Sequence, residues 1–269
     1  MSNAFERHGI DHLSASQINL FTNEPAMWCF EKLLGYRGHM GAAAVRGIAA
    51  EEGVLHGLLH SDDVADCVAL AEKSFDHQMG IRPDPGKEKQ RAAIAGCVEQ
   101  GLTALQPFGE PDFSGEGQSR IEIRLEGVPV PFVGYLDFIW PKRSLVVDLK
   151  TTLRLPSKMS ASHQRQRALY QAAHPDKAVQ FLYVTPKTHG FLEDGDHGQI
   201  ITEITATAVA MERFLSLSDD AETLTRATVP NFESFYWSRD QIEDAKRVWE
   251  IGGQIAKGSD VPEPSQISW

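Results

Sequence analysis

The sequence lacks the features that mark secreted, disulfide-rich and membrane-spanning proteins. Its three cysteines, Cys29, Cys67 and Cys97, are odd in number and far apart, which argues against a disulfide framework or a zinc ribbon. No apolar run approaches the roughly 20 residues of a membrane span, and residues 1–12 lack the apolar segment of a secretory signal. We therefore expect a cytoplasmic protein with no membrane partner.

Negative charge outweighs positive charge in the chain as a whole, with a formal net charge of −11. This balance argues against a protein that coats nucleic acid by bulk attraction. Residues 142–187, however, contain nine Lys or Arg residues and only two acids, a local charge of +7. A solvated basic surface is one interpretation of this segment. Because the segment begins at a candidate acidic site, described below, we favour a phosphate-binding surface.

Length and composition predict one folded domain over residues 1–269, because a chain with 42% hydrophobic and 23% charged residues has the material for a substantial core. Helices are predicted at residues 16–34 with a bend at Pro25, 41–60, 62–78, 87–105, 159–173, 206–226 and 239–256. Strands are predicted at residues 120–125, 128–139, 145–150 and 179–185, with an edge strand at 200–204. We therefore expect an α/β (α+β) fold in which residues 1–110 are mostly helical and residues 118–205 form the α/β core.

Two of these strands form a predicted hairpin that pairs two carboxylates. Residues 133–139 and 145–150 are rich in β-branched and aromatic side chains, and residues 141–144 between them form a plausible turn. If Lys142 and Arg143 lie at the tip, Asp137 and Asp148 stand directly opposite each other on one sheet face. Like charges paired across strands are unfavourable. A bound divalent cation would turn this repulsion into coordination, since hard cations take oxygen ligands.

Alternation along the second strand places a lysine side chain beside the pair of acids. Side chains two residues apart share a sheet face, so Lys150 lies on the same face as Asp148. Val147 and Leu149 then point the other way, into apolar packing. Two carboxylates and an ammonium on one face are typical of a metal-dependent hydrolase.

The second predicted helix carries an acid among apolar residues. Glu51 falls near the middle of an apolar stripe with helical spacing. The stripe consists of Ala44, Gly47, Ile48, Leu55 and Leu58. Burying an unpaired charge is costly, so Glu51 needs a cation, a metal or a proton. An ion pair with a core-facing Arg or Lys and a metal-binding role both remain open.

The helix that follows the hairpin presents a polar pair. Gln166 and Tyr170 are one turn apart and project from the same face, with His163 one turn earlier. An amide and a phenol can donate hydrogen bonds to a phosphate or orient a base. The alternative is a helix face that simply packs on the sheet with Tyr170 partly buried.

Taken together, four segments resemble the RecB-like and lambda-exonuclease-like branch of the PD-(D/E)xK nuclease superfamily in order and spacing. They are residues 47–51 (Gly-Ile-Ala-Ala-Glu), 134–137 (Gly-Tyr-Leu-Asp), 148–150 (Asp-Leu-Lys) and 166–170 (Gln-Arg-Ala-Leu-Tyr). Residues 13–30 also resemble the helical opening of that branch. Two departures stand out. Glu51 occupies a position where many relatives have His, and the absence of cysteine after Cys97 predicts that the iron–sulfur cluster of some relatives is missing.

The resemblance implies a restriction-endonuclease-like core, with a mixed central sheet flanked by helices. It further implies that one or two Mg²⁺ or Mn²⁺ ions are coordinated by Glu51, Asp137, Asp148 and the Leu149 carbonyl. Lys150 would stand beside the attacking water, and Gln166 and Tyr170 would position the DNA strand or the lysine. Contacts to flanking phosphates are expected from Arg154, Lys158, Arg165 and Arg167.

The expected function is therefore metal-dependent hydrolysis of DNA phosphodiester bonds, by an exonuclease acting in recombination, repair or phage-type DNA processing. The alternatives are a structure-specific or restriction-type endonuclease, a hydrolase of a small phosphorylated substrate, and a non-catalytic nucleic-acid-binding scaffold. DNA is the expected partner. Association into a homo-oligomer, or with a recombination partner protein, is compatible with the resemblance.

Overall fold

The computed structural model describes residues 3–60, 63–112, 118–192 and 197–251. The helices are α1 Ala4–Arg7, α2 Ala15–Asn23, α3 Pro25–Lys32, α4 Ala42–His60, α5 Val64–Met79, α6 Lys87–Arg91, α7 Ile94–Leu105, α8 Ala161–Ala173, α9 His197–Leu215, α10 Ala221–Arg226 and α11 Arg239–Val248. The strands are β1 Ser119–Ile123, β2 Phe132–Leu136, β3 Phe138–Trp140, β4 Leu145–Thr151, β5 Ala178–Val184 and β6 His189–Leu192. The protein is thus a mixed α/β structure with a helical N-terminal region, which confirms the predicted α+β class.

Local sequence signals set several helix boundaries. The Ser14 side chain accepts a hydrogen bond from the Gln17 N–H and begins α2. Glu24 leaves the helical conformation, with φ −149° and ψ 74°, and Pro25 then occupies the first turn of α3. The predicted helix over residues 16–34 is therefore two helices, because a proline cannot donate the backbone hydrogen bond that would continue the first.

Six strands form two sheets in the described part of the chain. The strands β1 and β2 form an antiparallel pair, and the second sheet has the order β3-β4-β5-β6. Within it β4 and β5 run parallel, with α8 as the crossover, while both outer pairs are antiparallel. The predicted strand at residues 128–139 divides at Asp137, so that β2 and β3 belong to different sheets. This break allows Asp137 to leave regular strand pairing.

The prediction of an edge strand at residues 200–204 is wrong, because these residues lie inside α9. Their β-branched side chains favour a strand locally, but Ile204, Ala208, Met211 and Leu215 are all buried at helical spacing. The edge strand that pairs with β5 is β6, which the sequence reading missed.

The bounds of three other predicted helices differ from those in the structure. Residues 87–105 and 206–226 each divide into two helices, and the last helix ends at Val248, with residues 252–256 of the predicted span outside the described residues.

Apolar clusters lie on both faces of the larger sheet. On one face, α4, α5 and α7 pack against a cluster that includes Val147 and Leu149. On the other, α8 packs over a cluster that includes Tyr170, Phe181 and Tyr183. A further cluster joins the N-terminal helices to α9. The fold therefore places β4 between a wholly apolar layer and the layer beneath α8.

All three cysteines are buried, Cys67 and Cys97 in the cluster beneath α4 and Cys29 in the N-terminal cluster. Burial raises the pKa of the Cys29 thiol to about 12 and that of Cys97 to about 11. These two thiols are therefore protonated at neutral pH. No helix in the described ranges combines the length and apolarity that a membrane crossing requires.

Candidate active site

The β3–β4 hairpin places Asp137 beside Asp148. Phe138 pairs with Val147 in the antiparallel register, so Asp137, one residue before Phe138, lies opposite Asp148. The Asp137 Oδ2 accepts a hydrogen bond of 2.8 Å from the Leu149 N–H. The turn at residues 141–143 is a single 3-10 turn, followed by Ser144 in the left-handed region. The predicted register of the two acids is confirmed.

The strand β4 separates its side chains as predicted. Val147 and Leu149 are buried in the apolar cluster beneath α4. Asp148 is 1% exposed and faces the other side, where the Lys150 Nζ lies 2.5 Å from its Oδ1. The Nζ also lies 5.2 Å from the centroid of the Phe181 ring. A buried carboxylate and a largely buried ammonium thus form a direct ion pair.

Glu51 reaches the same place from α4, but not through the predicted stripe. Leu58 of that stripe is buried and Leu55 packs partly against the core, but the rest of the buried face is formed by other residues, namely Ala42, Val45, Arg46, Ala49, Ala50, Gly53, Val54 and Gly57. Ala44, Gly47 and Ile48 instead line an open cavity together with Glu51. Alanine and glycine occur all around this helix, so hydrophobic periodicity identifies its core face poorly. Glu51 therefore projects into the cavity rather than the core.

Arg46 fixes α4 against the end of β4. Its Nη2 donates a 2.9 Å hydrogen bond to the Thr151 carbonyl, and its Nη1 contacts the Gln90 side chain. The guanidinium is buried, and burial lowers the pKa of Arg46 from its ordinary value. This contact holds the helix that carries Glu51 next to the strand that carries Asp148 and Lys150.

Gln118, which the sequence reading missed, connects two of the acids. Its amide nitrogen donates to the Glu51 Oε1 at 2.6 Å and to the Asp137 Oδ1 at 2.9 Å. The residue lies just before β1, and no motif in the sequence marks it. In this arrangement the amide supplies hydrogen-bond donors between two carboxylates that would otherwise face each other.

The helix α8 covers the site with a chain of hydrogen bonds. The Gln166 Nε2 donates to the Asp148 Oδ2 at 3.0 Å and to the Tyr170 hydroxyl at 2.8 Å. Tyr170 in turn donates to the Tyr135 carbonyl at 2.6 Å. The Tyr170 side chain is also buried against the sheet, so it both packs and makes hydrogen bonds. These bonds join α8 to β4 and to β2.

The position of Gly134 beneath Tyr170 explains why the Gly-x-x-Asp segment begins with glycine. A Cβ added at this residue would lie 2.7 Å from the Tyr170 ring, closer than carbon atoms approach. The glycine thus lets the Tyr170 ring lie directly against β2, from where its hydroxyl reaches the next residue along the strand.

Burial and mutual repulsion raise the pKa values of the acids. Burial raises the pKa of Glu51 to about 7, with a contribution from Asp148, although the Gln118 hydrogen bond opposes the rise. Burial and the charges of Asp148 and Glu51 hold the pKa of Asp137 well above its usual range. For Lys150, burial alone would lower the pKa, but Asp148 and Asp137 outweigh it and hold it above the ordinary value. The site therefore concentrates negative charge around one ammonium.

The acids, Lys150, Gln166 and Tyr170 line one cavity of about 800 Å³. Its rim includes the exposed residues Ser16, Ala43, Ala44, Gln118 and Tyr135, so the cavity opens to solvent. The start of α2 and Lys32 also line it, which the sequence reading did not anticipate.

The four predicted phosphate-binding residues lie elsewhere, since none is among those lining the cavity. Arg154 and Lys158 are exposed. Arg165 donates to the Asn19 side chain at 2.9 Å, and Arg167 donates to the Val179 carbonyl at 2.8 Å. These last two guanidinium groups therefore have structural partners within the protein.

As arranged, the site does not present a ready set of metal ligands. Within the described ranges, no group of three or more His, Cys, Asp and Glu side chains is placed to hold a metal ion. The Gln118 amide lies between Glu51 and Asp137, and the Lys150 ammonium lies against Asp148. Positive or proton-donating groups thus contact all three carboxylates.

Comparison with known proteins does not assign a family. No family model matches the chain, and no curated protein matches it. Among solved structures, the chain is similar to one titled "Crystal structure of SSO0001", with 19% identity and a TM-score of 0.31. That match covers 61% of this chain and 85% of the other. A likeness at this level assigns no activity, so the functional argument comes from the site itself.

Proposed function

We propose that this protein is a Mg²⁺- or Mn²⁺-dependent deoxyribonuclease with a PD-(D/E)xK-type site. The supporting observation is that Glu51, Asp137, Asp148 and Lys150, from separate stretches of the chain, line one solvent-open cavity. Oxygen-rich clusters of this kind suit hard divalent cations. The cation would polarise the phosphodiester and lower the pKa of water.

The oxygen donors suit such a cation in chemical type, and the Gln118 amide is the group that must move for them to bind it. Burial, together with the charges of the neighbouring carboxylates, raises the pKa of Glu51 and Asp137, and the Gln118 amide bridges these two residues. A divalent cation would remove this repulsion more completely than an amide, whose donor carries only a partial charge. Glu51, Asp137, Asp148 and the Leu149 carbonyl would hold it. Gln118 must then turn away from the carboxylates, because its nitrogen occupies the space between them.

Lys150 is suited to stabilise charge as it develops on the phosphate. The carboxylates keep its pKa above the ordinary value, so the ammonium stays charged at neutral pH. Its side chain is held by Asp148 and by the Phe181 ring rather than moving freely in solvent. A preorganised cation in a partly dry site stabilises a developing anion more than one in water does. Lys150 would also orient the attacking water.

Gln166 and Tyr170 act as positioning residues. Gln166 holds one oxygen of Asp148, and Tyr170 ties Gln166 to the backbone of β2. Burial raises the pKa of the Tyr170 hydroxyl above its ordinary value, so it remains a donor at neutral pH. The two side chains thereby fix the orientation of Asp148 relative to Asp137.

An open cavity supports a polymeric substrate over a small one. A hydrolase of a small phosphorylated molecule encloses its ligand, whereas this cavity has an exposed rim. Arg154 and Lys158, exposed in the segment between β4 and α8, are available to contact phosphates of a strand.

The test is digestion of end-labelled single-stranded and double-stranded DNA with Mg²⁺, with Mn²⁺ and with a chelator. We expect cleavage with either metal and none with the chelator. Cleavage that persists in the chelator would contradict the metal-dependent mechanism. Binding of DNA and of metal without any cleavage would instead support a non-catalytic scaffold.

A second assay addresses the type of cleavage. Linear DNA and covalently closed circles of the same sequence are incubated with enzyme and Mg²⁺. We expect an exonuclease, which degrades the linear DNA and leaves the circle intact. Cutting of the circle would show an endonuclease.

A further inference from the structure

His163 lies in the candidate site with one ring nitrogen bonded to the protein. Its Nδ1 is 2.6 Å from the Tyr183 hydroxyl, and the residue lines the same cavity as Asp148 and Lys150. Among the residues that the structure describes, none hydrogen-bonds to the Nε2 of His163. The two nitrogens lie on different edges of the imidazole ring. The Nε2, on the edge of the ring not bonded to Tyr183, is not among the buried polar atoms that lack a partner, so it is accessible from the cavity that His163 lines.

His163 packs over the sheet face that carries Lys150. Asp148 pairs with Phe181, and Lys150 pairs with Tyr183, so these four side chains share one sheet face. The His163 ring packs over them, with its centroid 6.1 Å from that of Phe181 and 5.6 Å from that of Tyr183. The imidazole and the Lys150 ammonium thus share Phe181 as a neighbour, the ammonium at 5.2 Å from its centroid, and both residues line the cavity.

His163 is neutral in this environment. Burial, with a contribution from the Lys150 charge, lowers the pKa of His163 to about 4. The residue is also the third in α8, where the positive end of the helix disfavours a cation. A neutral imidazole has one N–H donor and one acceptor, and its hydrogen-bonding partner fixes which nitrogen carries the proton.

The contact with Tyr183 selects the tautomer. A phenol is a stronger hydrogen-bond donor than a neutral imidazole, so the Tyr183 O–H donates to the Nδ1 of His163. The proton of the ring then resides on Nε2, the nitrogen that faces the cavity. A neutral donor fits beside Lys150, where a second full positive charge would be repelled.

We propose that the Nε2–H of His163 donates a hydrogen bond to a non-bridging oxygen of the phosphodiester bound at this site. His163 and Lys150 then contact the phosphate from neighbouring positions. This inference rests on the proposed function and adds a substrate-contacting residue to it. The competing explanation is that His163 serves only to satisfy the buried Tyr183 hydroxyl.

Two substitutions separate these explanations. The amide of Asn superimposes approximately on the Nδ1 side of a histidine ring, whereas the amide nitrogen of Gln reaches the position of Nε2. His163→Asn therefore keeps a partner for Tyr183 and loses the donor in the cavity. His163→Gln keeps a donor in the cavity. Thermal unfolding of both variants serves as the folding control.

The measurement is the Kd of a fluorescein-labelled single-stranded oligonucleotide by anisotropy, with Ca²⁺ in place of Mg²⁺ to prevent turnover. We expect His163→Asn to raise the Kd about tenfold, since a hydrogen bond to a charged group is lost. His163→Gln should stay within about threefold of the unsubstituted protein, since it keeps a donor. An unchanged Kd for His163→Asn overturns the proposal. Equal weakening in both variants also overturns it, because the loss would not follow the donor.

A second measurement uses the unsubstituted protein. Two-bond proton–nitrogen correlation spectra distinguish the tautomers of each histidine ring. The signals of His163 are identified by their absence from the spectrum of His163→Gln. We expect the Nε2–H tautomer for His163 and a shift of its Nε2 resonance on titration with the same oligonucleotide. An Nδ1–H tautomer, or an Nε2 signal that does not respond to saturating oligonucleotide, overturns the proposal.

Failure of this inference and failure of the proposed function give different results. Metal-dependent cleavage with no effect of His163→Asn on the Kd leaves the nuclease function standing and removes the contact. A Kd that depends on His163, in a protein that cleaves no DNA, keeps the contact and removes the nuclease function. A protein that binds no oligonucleotide loses both.

Discussion

The two faces of β4 differ in chemistry although they are built from alternate residues of one strand. Val147 and Leu149 lie in an apolar cluster beneath α4. Asp148 and Lys150 form a buried ion pair on the opposite face, beneath α8. Alternation along one strand thus assigns stability and chemistry to opposite sides of the same segment. Substitutions on the two faces should therefore have separable effects.

The largest effect is expected from Lys150→Ala. Loss of the ammonium should reduce DNA cleavage roughly a thousandfold, as for removal of a preorganised charge in other active sites. Asp148, without its partner, should take up a proton rather than remain a buried charge. The circular-dichroism spectrum should then be unchanged. Retained turnover in this variant would remove the proposed mechanism.

Gly134→Ala tests the contact between Tyr170 of α8 and strand β2. The added methyl group would lie 2.7 Å from the Tyr170 ring and must displace it. We expect destabilisation of about 1–3 kcal/mol from overpacking, with a loss of activity in the folded protein, because the link from Tyr170 through Gln166 to Asp148 is disturbed. Gly190→Ala is the matched control, since its Cβ would meet Leu155 at an ordinary 3.4 Å. Equal activity in the two variants would contradict this role for Tyr170.

Glu51→Gln tests the acid that faces β4 from α4. The folded state raises the pKa of Glu51 from 4.5 to about 7, so it binds this proton more tightly than the unfolded chain does. The resulting stability is present below about pH 4.5 and is lost as the pH rises to about 7. In metal-free buffer, the unfolding free energy of the unsubstituted protein should decrease over this pH window. The decrease should be smaller in Glu51→Gln by on the order of 2 kcal/mol.

Glu52→Gln provides the control for that measurement, because Glu52 is the exposed neighbour on the same helix. The Glu52 charge makes only the smallest contribution to the raised pKa of Glu51, so the pH profile of Glu52→Gln should stay close to that of the unsubstituted protein. A Glu51→Gln profile that keeps the original slope would show that Glu51 does not hold a proton in the folded state.

Val147→Ala addresses the apolar face. Val147 is fully buried, and removal of two methyl groups should lower the unfolding free energy by roughly 2 kcal/mol. Cleavage by the folded variant should match that of the unsubstituted protein, measured well below the unfolding temperature. A large loss of activity without a loss of stability would show that the two faces are not separable.

The smallest effect is expected outside both faces, from Arg154→Ala. This exposed side chain should contribute one phosphate contact, so the variant should bind DNA a few-fold more weakly and reduce the slope of log Kd against log salt by about one. Arg165→Ala should also lower stability, because Arg165 bonds to Asn19 between α8 and α2. If Arg154→Ala leaves the salt slope unchanged, Arg154 makes no phosphate contact.

The sequence predicted the hairpin well because its signals are local. Lys142 and Arg143 at the turn set the register, and period-two alternation then placed the side chains of Asp148 and Val147 on opposite faces of the sheet. Both features depend on residues within one short segment. The same holds for the start of α2, where Ser14 caps the helix.

Features that depend on distant contacts were predicted less well. The core face of α4 was predicted correctly at Leu58 but not at Ala44, Gly47 and Ile48, because small residues surround the helix and only packing against α5, α7 and β4 decides which are buried. Gln118 belongs to no motif, and its contacts with Glu51 and Asp137 come from tertiary structure. Residues 200–204 have strand-like composition, but burial along α9 overrides it.

The candidate site takes its residues from α4, the junction of β2 and β3, β4 and α8, and the helices α5, α6 and α7 separate the first of these segments from the others in the sequence. The β3–β4 hairpin brings Asp137 and Asp148 together locally, but Glu51 joins them only when α4 packs against the sheet, and such distant contacts form slowly relative to local helices. A cation that binds only the assembled cluster would stabilise the folded chain by mass action. Its binding rate during refolding would then report the last step of folding, and no isolated fragment of the chain would compete for it.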